Sequence, residues 1–247
     1  MKSAIIGGTG CQRLVNKESV RHEISTPYGH AVVFERHEGP DTLYFLLRHG
    51  EGHRVPPHLV NYRANIAALR QLGVTQAIGI YAVGSITSVV LPGMLGVIDQ
   101  FIDFTGGGRE ATFFTGADAG VKHVPMVSPY SKRLRTSLIM EASRMDIPLS
   151  PKGTYVCTNG PRLETPAEIA MFRRWGADYV GMTAATETIL ANEAGIEFAG
   201  TVYSLNWAAG LDAEGFSFIE EEIADRAIDR LQRLVESALH LGKNAVR

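Results

Sequence analysis

What most limits the fold of this chain is the alternation of short β-branched and aromatic runs with longer stretches of helical spacing. That alternation marks an α/β fold, in which strands gather into a sheet and helices cover it. Strands are expected over residues 3–6, 31–35, 43–47, 77–81, 96–98, 154–157, 179–182 and 198–204. Helix boundaries carry clearer punctuation. A helix over 61–72 should end at Gly73, a residue that accepts the left-handed conformation there. Thr165-Pro166-Ala167-Glu168 reads as a capping box with Pro at the first helical position, and its helix should stop at Gly176. Ser217-Phe218-Ile219-Glu220 repeats the pattern and is expected to open the longest helix, running to about Leu241. The stripe Ile219, Ile223, Ala227, Leu231, Leu234, Val235, Ala238 has helical spacing and suits a core-facing surface.

The chain shows no repeat, low-complexity tract or linker, and its 247 residues are enough for one large α/β domain or two small ones. With 45% hydrophobic residues the core needs no disulfides. Cys11 and Cys157 lie far apart, form no C-x-x-C, and are expected to be buried thiols in a reducing cytoplasm. The opening M-K-S-A-I-I-G-G is too short an apolar run for a signal peptide and reads better as a first strand. No run of about 18 apolar residues exists, so no membrane span is expected. A net charge of −2 without a basic stripe argues against a nucleic-acid partner.

Two glycine-rich segments invite a site. Gly7-Gly8-Thr9-Gly10 follows the first strand, where backbone N–H groups and the Thr9 hydroxyl suit a phosphate; a plain tight turn explains it equally well. It is not a dinucleotide fingerprint, since Arg13 stands where a third glycine belongs. R-H-G-E-G-H-R-V-P-P-H, residues 48–58, holds three histidines, a metal-like richness. Yet His49, His53 and His58 sit on a Gly- and Pro-rich loop with one nearby carboxylate, Glu51, and zinc wants converging ligands with carboxylates behind them. Arg48 and His49 close the strand L-Y-F-L-L, and a guanidinium at a strand end favours an anion over a metal. Three more strand exits end in small or polar groups: Tyr81-Ala82-Val83-Gly84-Ser85, Gly181-Met182-Thr183 and Ser204-Leu205-Asn206. Thr183 precedes a helical stretch, offering a hydroxyl and a helix N-terminus together.

Taken together, I-I-G-G-T-G, R-H-G-E-G-H-R-V-P-P-H-L-V-N-Y-R-A-N-I, A-V-G-S, D-Q-F-I-D-F-T, Y-V-C-T-N-G-P-R-L-E-T and W-G-A-D-Y-V-G-M-T resemble the trimeric purine nucleoside phosphorylase and methylthioadenosine phosphorylase family, over about residues 3–240. The resemblance implies a single α/β domain, 1–247, with a mixed, partly barrel-like sheet flanked by helices, and a cytoplasmic homotrimer with sites at subunit interfaces. It implies a pentosyltransferase that cleaves a purine nucleoside with inorganic phosphate as co-substrate, needing no metal or other cofactor. Phosphate would touch Thr9, Arg48, His49, Tyr81, Ala82 and Thr183; Met182 would pack under the ribose; and His123 of K-H-V-P-M would reach a neighbouring subunit's site. Replacing Arg48 by Ala should sharply weaken phosphate use and leave the fold intact. Three positions depart from the family: Tyr81 where relatives usually carry Thr or Asn, Glu51 where a basic residue is common, and Thr186 in place of a Pro.

The same resemblance places base recognition on Glu164 and Asn206. A Glu164 carboxylate accepts from N1–H of a 6-oxopurine and repels the bare N1 of adenine, while the Asn206 amide serves N7 and O6. The T-D-x-D stretch of adenine-specific relatives reads L-N-W-A here, with Asn206 and Ala208 at the Asp positions. Phe218, where nucleoside enzymes often hold a His near the 5′-hydroxyl, favours a methylthio group. The expected substrate is therefore S-methyl-5′-thioinosine, with inosine or guanosine, or methylthioadenosine, as alternatives. A nucleoside sensor without catalysis and a metal-dependent hydrolase are the readings from other classes.

Overall fold

The computed structural model describes every residue except 17, 214 and 242–247, so the last six positions of the expected domain lie outside it. In chain order the elements are β1 (Lys2–Gly7), β2 (Val20–Thr26), β3 (Gly29–Glu38), β4 (Asp41–Leu47), α1 (Tyr62–Gln71), β5 (Gln76–Ser85), β6 (Leu95–Val97), β7 (Gln100–Phe104), α2 (Lys132–Arg144), β8 (Leu149–Ser150), β9 (Thr154–Thr158), α3 (Pro166–Arg174), β10 (Tyr179–Gly181), α4 (Ala184–Glu193), β11 (Glu197–Trp207) and α5 (Glu221–Leu241). Eleven strands form one mixed sheet in the order β2-β3-β4-β1-β5-β10-β9-β7, with β11 on the other edge of β5 and β6 and β8 beyond it. The expected α/β fold with a mixed sheet flanked by helices is the one observed.

The sheet's organising strand is β5. Its first half pairs in parallel with β1, ending at Ile6 opposite Gly79. On the same edge its last residues pair antiparallel with β10, Val180 opposite Gly84. The carboxyl ends of β1 and β10 therefore run toward each other and stop short, leaving residues 80–83 of that edge without a strand partner. Such a change of partner opens a crevice at strand ends, the usual place for a ligand in open α/β sheets. β4, parallel to β1, delivers its carboxyl end to the same place.

Helices α1 and α4 cover one face of the sheet through Ala64, Ile66, Leu69, Leu190 and Ala191. α2 and α5 cover the other, through Leu134, Leu138, Leu231, Leu234 and Val235. α3 packs Ile169 and Phe172 against Val156 and Val180. The capping box at Thr165 forms with both of its hydrogen bonds, and Asn61 caps α1 through Ala64 N–H. Cys11 and Cys157 are free and buried, and burial pushes their thiols up to about 11 and about 12. Among the described residues, no helix is long and apolar enough to cross a membrane.

One expected boundary is wrong. α5 starts at Glu221, not at Ser217. The Ile219 N–H, which a helix from Ser217 would leave unpaired, donates instead to the Leu205 carbonyl at 2.8 Å. The chain 217–220 is thus tied to the end of β11 as coil, and Ile219 lies ahead of the helix whose stripe it was expected to begin.

Candidate active site

A cavity of about 700 Å³ opens at the β5 crevice, lined by residues of β5, β10 and β11 and of the segments that follow β1, β4, β9, β10 and β11. Its polar end begins with Arg48. The guanidinium is buried to 3% exposure and paired through Nε and Nη2 with the two oxygens of Glu187, itself 1% exposed. Nη1 donates to the Ile80 carbonyl at 3.1 Å and Nη2 also to the Ile6 carbonyl at 3.3 Å. Arg48 thus satisfies carbonyls at the very gap where β5 has no strand partner. A guanidinium carries five N–H donors, and among the described residues only one hydrogen, on Nη1, remains for a ligand. Burial alone would lower the pKa of Arg48, but Glu187 holds it above its ordinary value. Gly8 makes the arrangement possible, because a Cβ there would lie 2.5 Å from Nη1.

His49 follows with its Nδ1 2.8 Å from the Val55 carbonyl. A carbonyl only accepts, so Nδ1 carries the proton, and Nε2 of the neutral ring is an acceptor. Burial, with Arg48 and His53 adding to it, pushes His49 down to about 4. Its ring lies 4.4 Å from that of His53, whose pKa burial and Arg48 also lower. Thr183, at the N-cap of α4, makes no side-chain capping bond, which leaves its hydroxyl for the cavity beside a helix N-terminus. Thr9 and Ala82 complete this end.

The other end is built differently. Glu164 is partly buried; its Oε1 accepts from the Thr158 hydroxyl at 2.6 Å, and burial raises its carboxyl above the usual range. Asn206 sits at a register shift in β11 opposite Gly84 and donates one Nδ2 hydrogen to the Trp207 carbonyl at 2.7 Å. Met182, Val180, Leu163 and Leu205 supply apolar walls, and Phe218, 59% exposed, stands at the edge with Phe216 edge-on to it at 5.1 Å. Arg48 is anchored at Ile80 and Asn206 lies opposite Gly84, four residues along β5. That separation is roughly 13 Å, enough for a phosphate and a nucleoside laid end to end.

The cavity therefore brings together Thr9, Arg48, His49, Ala82, Glu164, Met182, Thr183, Asn206 and Phe218. It leaves out three expected residues. Tyr81 is buried on the far side of Arg48: its ring lies 4.5 Å from the guanidinium carbon and its hydroxyl donates to Glu187 Oε2 at 2.7 Å. Ala208 is core, packed with Ile86 and Val180. His123 is exposed on the segment between β7 and α2, away from the cavity lining. Against the expectation that Arg48 can be removed without harm to the fold stands its buried pairing with Glu187, a carboxylate that its loss would strand in the interior. The three loop histidines do not converge, because His58 faces a second cavity with Asn61 and Arg109. Among the described residues no three His, Cys, Asp or Glu side chains are grouped to hold a metal ion. Thr186, at the departure from Pro, is buried and accepts from Arg109 at 3.4 Å. Sequence reasoning missed Glu187, although a lone carboxylate inside A-A-T-E-T-I-L-A was a signal, and it missed Arg54, which lines the cavity from the histidine-rich loop, residues 48–58.

The fold and cavity define an α/β protein with a guanidinium and hydroxyls at one end, and a carboxylate and an amide at the other end, of a cavity at one strand junction. Residues 2–240 match the Phosphorylase superfamily, and the chain belongs to that family. It is 42% identical over 97% of its length, and 91% of the relative's, to a Dictyoglomus turgidum protein named "Probable 6-oxopurine nucleoside phosphorylase". A Xanthomonas campestris protein named "Probable S-methyl-5'-thioinosine phosphorylase" is 45% identical over 88% of each chain. Among solved structures, apo methylthioadenosine phosphorylase from Schistosoma mansoni superposes with a TM-score of 0.87 at 30% identity, covering 98% of this chain and 92% of that one.

Proposed function

We propose that this protein catalyses phosphorolysis of a purine nucleoside to free purine and a pentose 1-phosphate, with S-methyl-5′-thioinosine as its preferred substrate. The observation that carries the reading is the two-ended cavity: fixed anion donors at one end, a buried-side carboxylate and an amide at the other. A phosphate oxygen attacks the anomeric carbon while the bond to the purine nitrogen breaks, through an oxocarbenium-like state. The phosphate is both nucleophile and counter-charge to that cation. Thr183, the Arg48 Nη1 hydrogen and the N-terminus of α4 orient it. His49 Nε2, an acceptor, suits the proton that phosphate itself carries at neutral pH.

At the other end the departing purine gains negative charge. The Glu164 Oε2 accepts N1–H of a 6-oxopurine, and the Asn206 amide serves N7 and O6. No metal or organic cofactor enters these steps. His123 fits the same reading only in a homotrimer, where it would complete a neighbour's site. Mixing His123 and Glu164 variants should then restore activity in hybrids, and failure to do so despite subunit exchange argues for independent sites.

Phe218 supports a 5′-methylthio group, but its exposure favours a second reading in which 6-oxopurine nucleosides with a free 5′-hydroxyl are used as well. The test is a panel of methylthioinosine, methylthioadenosine, inosine, guanosine and adenosine, each with and without phosphate. Phosphate-dependent release of hypoxanthine, fastest from methylthioinosine, is the expected result. Preference for methylthioadenosine would overturn the base assignment, and no release with any of them would leave a binding protein.

A further inference from the structure

The cavity's charges do not add up to a phosphate site if Arg48 is its cation. Its guanidinium is matched by both oxygens of Glu187, a one-to-one cancellation within the buried pair. His49 and His53 both have depressed pKa values and add little charge near neutrality. A phosphate dianion brought into such a site would lose water without gaining net opposite charge, a costly exchange.

Only one other cation lines the cavity among the described residues, and that is Arg54. It differs from Arg48 in every respect that matters. It is exposed, and no hydrogen bond or ion pair is drawn to its guanidinium from the described residues. Other exposed arginines nearby are spent: Arg21, for one, holds Glu51 at 3.2 Å. The loop that carries Arg54 is wound through positive φ at Gly50 (71°), Gly52 (73°) and even His53 (55°). A bulky residue rarely accepts that region. The winding turns the chain back so that His49, His53, Arg54 and Val55 all face the same cavity.

We infer that Arg54 supplies the positive charge that balances bound phosphate, while Arg48 serves as a neutralised, rigid hydrogen-bond donor. The inference rests on the cavity taking phosphate, as the proposed reaction requires. Arg54, unpaired and exposed, meets the anion at the mouth and pairs with it once seated. Its side chain is then the moving part of a site whose other donors are fixed.

Inorganic phosphate binding to the full chain, followed by calorimetry, tests this directly in wild type, Arg54→Ala and Arg54→Lys. Loss of the charge should weaken phosphate roughly tenfold, with Arg54→Lys in between. Wild-type affinity should fall as ionic strength rises from about 0.01 to about 1 M, and that salt dependence should flatten in Arg54→Ala. The KM for phosphate should rise in parallel, with the nucleoside KM little changed. Unchanged melting of Arg54→Ala confirms that the fold is not at issue. Equal phosphate affinity and equal salt dependence in wild type and Arg54→Ala would overturn the inference. Phosphate binding that depends on Arg54 without any phosphorolysis would uphold it and sink the proposed reaction instead. A wild type that binds no phosphate at all would end both.

Discussion

The two ends of the cavity are made by different means. The first end is built on strand termini and a helix start, with Arg48 and Thr183 buried, the Arg48 guanidinium donating to the Ile80 carbonyl and the Thr183 N–H to the Tyr155 hydroxyl. The nucleoside end depends on coil: Leu163 and Phe218 are exposed, and residues 217–220 are held by a backbone bond from Ile219 to Leu205. Apart from the exposed Arg54 side chain, the first end is held by the frame; the other has walls still open to water. Rigidity lies where charge must be aligned, and latitude lies where substrates differ from one another.

Substitutions can break that contrast in graded fashion. The largest effect is expected from Arg48→Ala, which leaves Glu187 buried without its partner. It should cost about 3–5 kcal/mol of stability, read from urea unfolding, and abolish efficient phosphate use. Normal stability in that variant would show that the anion end is less fixed than its geometry implies.

At the other end, Glu164→Ala should leave melting almost unchanged yet lower kcat/KM for 6-oxopurine nucleosides by roughly 10²–10⁴. Asn206→Asp should move preference partway toward adenine, and further when combined with Glu164→Ser. The pH profile carries the same signature. The ionised carboxylate accepts N1–H, and burial raises its pKa. Activity toward 6-oxopurines should therefore fall on acidification at a pH above the ordinary carboxylate range, and Glu164→Ala should lose that limb.

Tyr81→Phe keeps the ring under Arg48 but removes the hydroxyl bond to Glu187. A hydrogen bond to a charged group is worth about 1.5–3 kcal/mol, so stability should drop by that order and the phosphate KM should rise while the nucleoside KM holds. A phosphate effect without a stability effect would make Tyr81 a direct ligand.

His49 adds a pH term to the folded state. Its folded pKa, about 4, lies below the ordinary value of 6.5, so the unfolded chain binds the proton more readily between the two. Stability should be full above that window and decline as pH falls through it. His49→Asn should shallow the decline in an unfolding series from pH 7 to about pH 4.

The smallest effect belongs to Phe218→Ala. An exposed side chain should change stability by under about 0.5 kcal/mol. Preference for methylthio over hydroxyl at the 5′ position should fall by roughly fourfold, the worth of one methylene-sized contact. A large loss would mean that this end closes more tightly around its substrate than the open edge suggests.

Much of the anion end was legible because strand ends announce themselves: an apolar run, then glycine, arginine or threonine. Tyr81 was misassigned because in a strand the side chain's face is set by pairing, and Tyr81 and Ala82 point to opposite faces. Ala208 was misplaced for a related reason, since the register shift between Ser204 and Asn206 alters which later residues face the crevice. The capping box at Ser217 has the right letters, but its backbone is bound elsewhere. β2 was missed because only Val20 and Ile24 are apolar in V-R-H-E-I-S-T, and β7 because it is a short strand at the end of the sheet path. α2 buries just Leu134, Leu138, Glu141 and Ala142, a stripe too thin to stand out among its charges.

The partner exchange along β5 also has a consequence in time. β5 is complete only when β1, from the start of the chain, and β10 and β11, from its last third, have all joined it. Pairings so distant in sequence form late and slowly. During synthesis the ribosome must release Trp207 before the crevice has both of its walls. A shortened chain that stops before β10 holds Arg48 but neither Glu187 to neutralise it nor Thr183 to share its ligand. The crevice is thus assembled in a single step, when strands from both sides of β5 have joined it.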